Sequence, residues 1–184
     1  MQFKSKDILD ALKETAEKIN SPGDVDILII GGVAAMLTGQ LPPERVTQDC
    51  DIIDIFPKQS QEAILTSARK VADAKGLAAN WLNCQAMGLN ILPDGWQSRR
   101  VFICKFGQLN IYAAGRLDLL CMKFYANRPQ DREDIIEMKP TLEEISFVRR
   151  YLDMLRLPAR LADLDQIVTA KKLVDTIEEM LYED

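Results

Sequence analysis

No histidine occurs in the 184 residues. That absence removes Ser–His and Cys–His nucleophilic schemes and any histidine-ligated zinc site, and it leaves acid–base work to Asp, Glu, Lys or Tyr. Cysteine is scarce. Cys50, Cys84, Cys104 and Cys121 are far apart, form no CxxC and sit in apolar surroundings. They read as buried free thiols in a reducing compartment, with no histidine to activate any of them. A long apolar run is missing too: the longest, Ile27 to Leu37, is broken by Gly31 and Gly32 and falls far short of the ~20 residues that span a bilayer. The N-terminal MQFKSKDILDALKETAEKI has the spacing of an amphipathic helix, not of a signal peptide, so a cytoplasmic protein without membrane contact is expected. Nor is there an excess of basic charge. With 23 basic against 28 acidic residues the net charge is −5, whereas a wide grip on nucleic acid usually needs a basic surface. Nucleic-acid contact would have to come from a local patch, and a small-molecule or protein partner fits the balance better.

What is present is ordinary for a globular domain: 47% hydrophobic and 28% charged residues, in a chain long enough to build a core without staples. Phe3, Ile8, Leu9, Leu12, Ala16 and Ile19 recur at helical spacing, predicting a helix over 4–20 that ends at Ser21-Pro22-Gly23. Asp26 to Ile30 reads as a buried strand, followed directly by Gly31-Gly32 and a short helix ended by Gly39. Pro42-Pro43 imposes a loop. Cys50 to Phe56 is a second strand, closed by Pro57, and 58–74 is helical. Residues 76–98 give no clear pattern. Two strands follow, joined by a tight turn at Gly107-Gln108. Helices are then expected over 116–126, from Pro129, from the Thr141-x-x-Glu144 capping box to about 155, and over 164–181. The pattern predicts an α/β fold, a mixed sheet flanked by helices, with a core over 1–136 and a C-terminal helical extension over 137–184.

One constellation carries chemistry: strand, Gly-Gly, helix, loop, then Asp-x-Asp opening a strand. Glycines after a strand let the backbone approach a ligand, and the helix start that follows presents free N–H groups suited to phosphate. Asp49 and Asp51 are two residues apart, so their side chains share a face. Two carboxylates with substrate phosphates and water suit Mg²⁺, or Mn²⁺. By the same alternation Asp54 is expected on the opposite face.

With these segments in this order, "IIGGVAAMLTG", "RVTQDCDI" and "LDLLCMKFYANRPQDREDI", the chain resembles bacterial nucleotidyltransferases related to AbiEii-type toxins, within the DNA polymerase β-like superfamily. The resemblance covers about residues 25–136 and implies the nucleotidyltransferase fold. It implies that Gly31 and Gly32 contact a nucleoside triphosphate and that Asp49 and Asp51 are catalytic and bind metal. Arg45 and Thr47 would orient the carboxylates or touch phosphate. Lys123 would be catalytic by neutralising phosphate charge, and Arg128 and Asp131, which with Asp134 match an R-x-x-D-x-x-D element, would bind the nucleotide. The implied activity is Mg²⁺-dependent transfer of a nucleotide from an NTP to a hydroxyl of RNA (a tRNA included), protein or a small molecule, with an antitoxin protein as a candidate partner. Arg99, Arg100, Lys105, Arg116 and Lys123 are candidates for a local basic rim.

The chain departs from the pattern in one important respect. Relatives place a third carboxylate on a later strand, and the matching segment here, "QLNIYAA", has none. Asn110 is its closest polar residue, and an amide does not accept a proton at neutral pH. Asp118 stands just beyond, at a helix start where capping accounts for it. Either a distant residue such as Asp131 supplies the function, or the enzyme is weak, or it is inactive; the alternative reading is a catalytically inactive nucleotide-binding or protein-interaction module of the same fold.

Overall fold

The computed structural model describes residues 4–155 and 163–183. Two compact units divide the chain, one formed by Met1–Gly88 and Arg100–Ala114, the other by Leu89–Arg99 and Gly115–Asp184. The helices of residues 116–138 thus pack with the C-terminal helices, whereas the sequence pattern grouped them with the preceding core.

The first unit holds the whole sheet. Its strands are β1 (Val25–Ile30), β2 (Cys50–Phe56), β3 (Leu82–Asn83), β4 (Val101–Phe106) and β5 (Leu109–Ala113), and its helices are α1 (Ser5–Lys18), α2 (Gly31–Leu37) and α3 (Gln61–Lys75). Strand order is β3-β2-β1-β5-β4. β1 pairs antiparallel with β2 and parallel with β5, β2 pairs parallel with β3, and β4 pairs antiparallel with β5. The sheet is therefore mixed, as the pattern predicts. Gly107 makes the two-residue β4–β5 turn with φ +53°, a value an L side chain seldom adopts.

Cross-strand partners share a face, so register sorts the side chains. One face carries Val25, Ile27, Ile29, Ile52, Ile55, Leu109, Ile111 and Ala113, each at most 1% exposed. This is the core of the unit, and each Ile or Leu buried there contributes roughly 1.5–3 kcal/mol. α2 packs on β1, β2 and β5, and α1 packs on α3; α1 buries Ile8, Ala11 and Leu12, and α3 buries Ile64, Ala68 and Val71. Phe3, counted in the first helix's stripe, lies outside the described residues.

The opposite face is polar where it matters. The β1–β2 register slips by one residue between Leu28 and Ile29, so that Ile30 faces Asp51 while Leu28 faces Asp54. Ile30 and Leu28 are two apart on β1 and share a face, and their partners must do the same. The bulge at Ile53 therefore brings Asp54 to the same face as Asp51. The expectation that Asp54 points the other way is corrected by this extra residue, which simple alternation cannot anticipate.

The segment 76–98, without pattern in the sequence, is organised by burial. Trp81 is fully buried, and its indole N–H donates to the Ala68 carbonyl at 3.0 Å. That anchor sets the two-residue β3 against β2.

The second unit is helical: α4 (Trp96–Arg99), α5 (Arg116–Ala126), α6 (Pro129–Met138), α7 (Leu142–Met154) and α8 (Leu164–Glu183). Pro129 opens α6. Thr141 caps α7 as the motif predicts: the Glu144 N–H donates to its Oγ1 at 3.2 Å, and its own N–H donates to Glu144 Oε2 at 2.9 Å. α5 packs against α6, α7 and α8. No described helix is long and apolar enough to cross a membrane.

Candidate active site

The site begins where β1 runs into α2. Gly31 has φ +70°, so glycine is required by conformation alone. A Cβ there would also sit 3.5 Å from Asp51 Oδ2. At Gly32 a Cβ would lie 2.5 Å from Nη1 of Arg45. Arg45 thus fills the space that a side chain at residue 32 would need, while Asp51 lies within ordinary contact of residue 31. The structure gathers Gly31, Gly32, Arg45 and Asp51 where β1 ends and β2 begins, as the sequence order suggests.

The segment from Arg45 to Asp51 is shaped by its own backbone. The Arg45 N–H donates to the Pro42 carbonyl at 3.1 Å, closing the Pro42-Pro43 turn. The Thr47 hydroxyl donates to the Asp49 carbonyl at 3.2 Å. Thr47 therefore holds the loop that carries Asp49, and its side chain is turned to that task. Asp49 is exposed and lies one residue ahead of β2, whereas Asp51 is half-buried within the strand. Cys50 between them is fully buried, and burial with the two neighbouring carboxylates pushes its thiol well above the ordinary range. It stays protonated and serves as core. Cys121 is raised in the same way, and Cys84 is pushed up to about 11 by burial. None of these three is a poised nucleophile.

A residue the sequence reading missed holds Asp51. β3 pairs in register with β2, setting Asn83 opposite Asp51. The Asn83 Nδ2 donates to Asp51 Oδ1 at 2.8 Å, and its Oδ1 accepts the Gln85 N–H at 3.1 Å. Its signal in the sequence is slight: one amide between Trp81 and Cys84 in a stretch of no periodicity.

The oxygen-only donors Asp49 and Asp51 suit a hard cation such as Mg²⁺, which needs one or two carboxylates beside phosphate and water. Among the described residues no group of three or more His, Cys, Asp or Glu is arranged to hold a metal. The residues considered for a third carboxylate are otherwise engaged. Asp54 shares the face of Asp51 but pairs with Lys58. Asn110 donates to Asp26 Oδ1 at 2.8 Å. Asp118 does not cap α5. It is buried and receives Nε and Nη2 of Arg99, the latter at 2.6 Å, while burial raises its carboxyl above the ordinary value despite that partner. The buried carboxylate is held by the half-buried Arg99 guanidinium and not by the helix start.

Lys123, Arg128, Asp131 and Asp134 lie in the second unit, and there they meet one another. Lys123 is 4% exposed and donates to Asp134 Oδ2 at 2.5 Å, with Asp131 Oδ1 at 3.5 Å. Asp131 also accepts the Arg128 N–H at 3.3 Å and Arg128 Nε at 2.7 Å, closing the first turn of α6. The proposed basic rim is similarly satisfied within each unit. Arg100 stacks 4.1 Å from the Tyr112 ring centroid and lies 3.6 Å from Asp26, and Lys105 pairs with Asp24 at 2.5 Å. Arg99 pairs with Asp118, and Arg116 with Glu144 at 2.6 Å.

Comparison with curated proteins and with solved structures gave no match. A family model described as "Nucleotidyltransferase of unknown function (DUF6036)" matches residues 7–179. That span takes in both the Gly-Gly/Asp-x-Asp edge and the Lys123 cluster, and the chain belongs to this nucleotidyltransferase family.

Proposed function

We propose that the protein is a Mg²⁺- or Mn²⁺-dependent nucleotidyltransferase that moves a nucleotide from an NTP to a hydroxyl acceptor. The carrying observation is the convergence of the Asp51 carboxylate and the Arg45 guanidinium on the side-chain-free edge at Gly31 and Gly32. Opposite charges held beside exposed backbone suit a metal-bound triphosphate: Arg45 pairs with phosphate oxygens, the glycines admit the chain of phosphates, and Asp49 and Asp51 hold the cation. Thr47 fixes the loop that presents Asp49. In the transfer, the acceptor oxygen bonds to the α-phosphorus, the bond from that phosphorus to the bridging oxygen breaks, and pyrophosphate leaves. The exposed Asp49 carboxylate takes the hydroxyl proton. When bound, the cation lends Lewis-acid stabilisation of the charge that builds on the phosphate oxygens.

In this reading Lys123, Asp131 and Asp134 form the ionic core of the helical unit, and Arg128 closes the turn that presents them. The resemblance to AbiEii-type toxins of the polymerase β-like superfamily supports a toxin–antitoxin setting, a cytoplasmic location and an antitoxin partner. The acidic net charge and the paired state of Arg99, Arg100, Lys105 and Arg116 favour a protein or small-molecule acceptor, or a brief encounter with tRNA, over a broad nucleic-acid grip.

A second reading, a nucleotide-binding or protein-interaction module without turnover, draws on the lack of a three-carboxylate group among the described residues. One experiment separates the two. Each α-labelled NTP is incubated with Mg²⁺ or Mn²⁺ and bulk tRNA or cell protein, beside an Asp49→Ala/Asp51→Ala control of matched circular dichroism. Label transferred by the wild type alone establishes the enzyme and reveals the acceptor by its mobility. NTP binding by calorimetry without transfer establishes the module, and neither result sinks both.

A further inference from the structure

We propose that Asn83 is a positioning residue for Asp51, and that its place on β3 is the one from which a third oxygen ligand would reach a cation held by Asp49 and Asp51. The inference rests on the metal-site reading above. A side-chain amide that is 9% exposed is costly unless both of its ends are bonded. Here both are: Nδ2 to Asp51 Oδ1 at 2.8 Å and Oδ1 from the Gln85 N–H at 3.1 Å. The amide is thereby locked, and it ties one oxygen of Asp51 while the other lies toward Gly31.

β3 is only two residues long, yet it is firmly braced. The Cys50 N–H donates to the Trp81 carbonyl at 2.6 Å, the buried Trp81 indole is bonded to the Ala68 carbonyl, and Leu82 is 3% exposed. This bracket delivers a single polar group to the sheet face of Asp51, and that group touches Asp51. Because register makes residue 83 the neighbour of Asp51, an acid at that position would bring a further carboxylate to the edge. An amide there instead orients the existing one without adding charge.

The test is Mn²⁺ affinity, read by electron paramagnetic resonance with and without ATP, together with the thermal midpoint of each full-length variant. Asn83→Ala is expected to bind Mn²⁺ about 10–100-fold more weakly, the usual loss when a group that orients a metal ligand is removed. Asn83→Asp is expected to bind it at least tenfold more tightly than the wild type, with a larger Mn²⁺-induced rise in thermal midpoint. A merely structural amide predicts for Asn83→Ala a lower thermal midpoint with Mn²⁺ affinity unchanged, and for Asn83→Asp less than the tenfold gain that direct ligation gives. Unchanged affinity in Asn83→Ala, or affinity short of that gain in Asn83→Asp, overturns the proposal while leaving the metal site standing. Should Asn83→Ala fail to fold, Asn83→Asp decides alone. Mn²⁺ binding that is absent in the wild type, or identical in Asp51→Asn, overturns the metal-site reading and this proposal with it.

Discussion

Two clusters of charge in this chain look alike as strings of residues and differ in what surrounds them. In the sheet unit, Arg45 and Asp51 reach toward positions where glycine has left no side chain, and Asp49 stands exposed. In the helical unit, Lys123, Asp131 and Asp134 are each at most 5% exposed and are bonded to one another. The first arrangement sets opposite charges around a glycine turn beside an exposed carboxylate, which suits a site that receives a charged substrate. The second spends its charge internally. The lesson is that a lysine and two acids carried by a family-like motif need not touch a ligand. They can be the polar core that shapes a helix pair.

The largest effect should come from breaking the closed cluster. Lys123→Met removes a cationic partner of both Asp134 and Asp131, leaving two buried carboxylates short of positive charge. Losing one partner of a buried pair costs about 3–5 kcal/mol, visible as a lower denaturant midpoint in urea. By contrast, Asp51→Asn should shift that midpoint little and abolish metal-dependent NTP binding. If Lys123→Met unfolds at the wild-type midpoint, the cluster is not a structural core and the contrast between the regions collapses.

The adjacent glycines sharpen the same comparison within the open site. Gly31→Ala should cost roughly 1–2 kcal/mol, because its φ of +70° is left-handed. Gly32→Ala has no such strain. The atoms nearest its methyl belong to the far end of the flexible Arg45 side chain, which is expected to shift. Its stability should stay within about 0.5 kcal/mol of wild type, while calorimetric ATP affinity falls because Arg45 is displaced. Equal stability losses at the two positions would mean that the Arg45 guanidinium is fixed as part of the fold.

Much of this was legible in the sequence because local signals and burial agreed. β2 was readable from apolar content and from Pro57, α7 from Thr141 and Glu144, and the β4–β5 turn from Gly107. The Gly31–Asp51 edge followed from element order, since β1 and β2 had to be neighbours for the two segments to meet. What escaped was set by tertiary packing. Trp81 is a helix-side anchor whose partner, the Ala68 carbonyl, leaves no mark in sequence, so β3 and with it Asn83 stayed hidden. The bulge at Ile53 depends on how β2 registers against β1 and not on its own residues, and it moved Asp54 to the face of Asp51. Asp118 read as a cap because its partner, Arg99, is remote in sequence and precedes α5.

The smallest effect tests a partnership that is neither open nor sealed. Arg116 donates to both oxygens of Glu144, at 2.6 and 3.0 Å, and to the Met138 carbonyl at 2.7 Å, so it joins the end of α6 to the start of α7. Burial opposes ionisation of Glu144, but the guanidinium and the Thr141 N–H outweigh it and hold the carboxyl below its ordinary 4.5. A carboxyl that ionises more readily when folded adds stability that is present above the unfolded value near 4.5 and is lost as pH falls through the lower folded value. The urea midpoint of the wild type should therefore exceed that of Glu144→Gln at pH 7, and the gap should close below pH 4.5. For Asp118, whose carboxyl is raised by burial, the sign inverts: its ionisation disfavours the fold, so its contribution worsens as pH rises past the ordinary 3.8. A gap for Glu144→Gln that persists unchanged into acid would mean that Arg116 is held by main-chain carbonyls such as those of Met138 and Lys139, and that charge has no part in fastening α6 to α7.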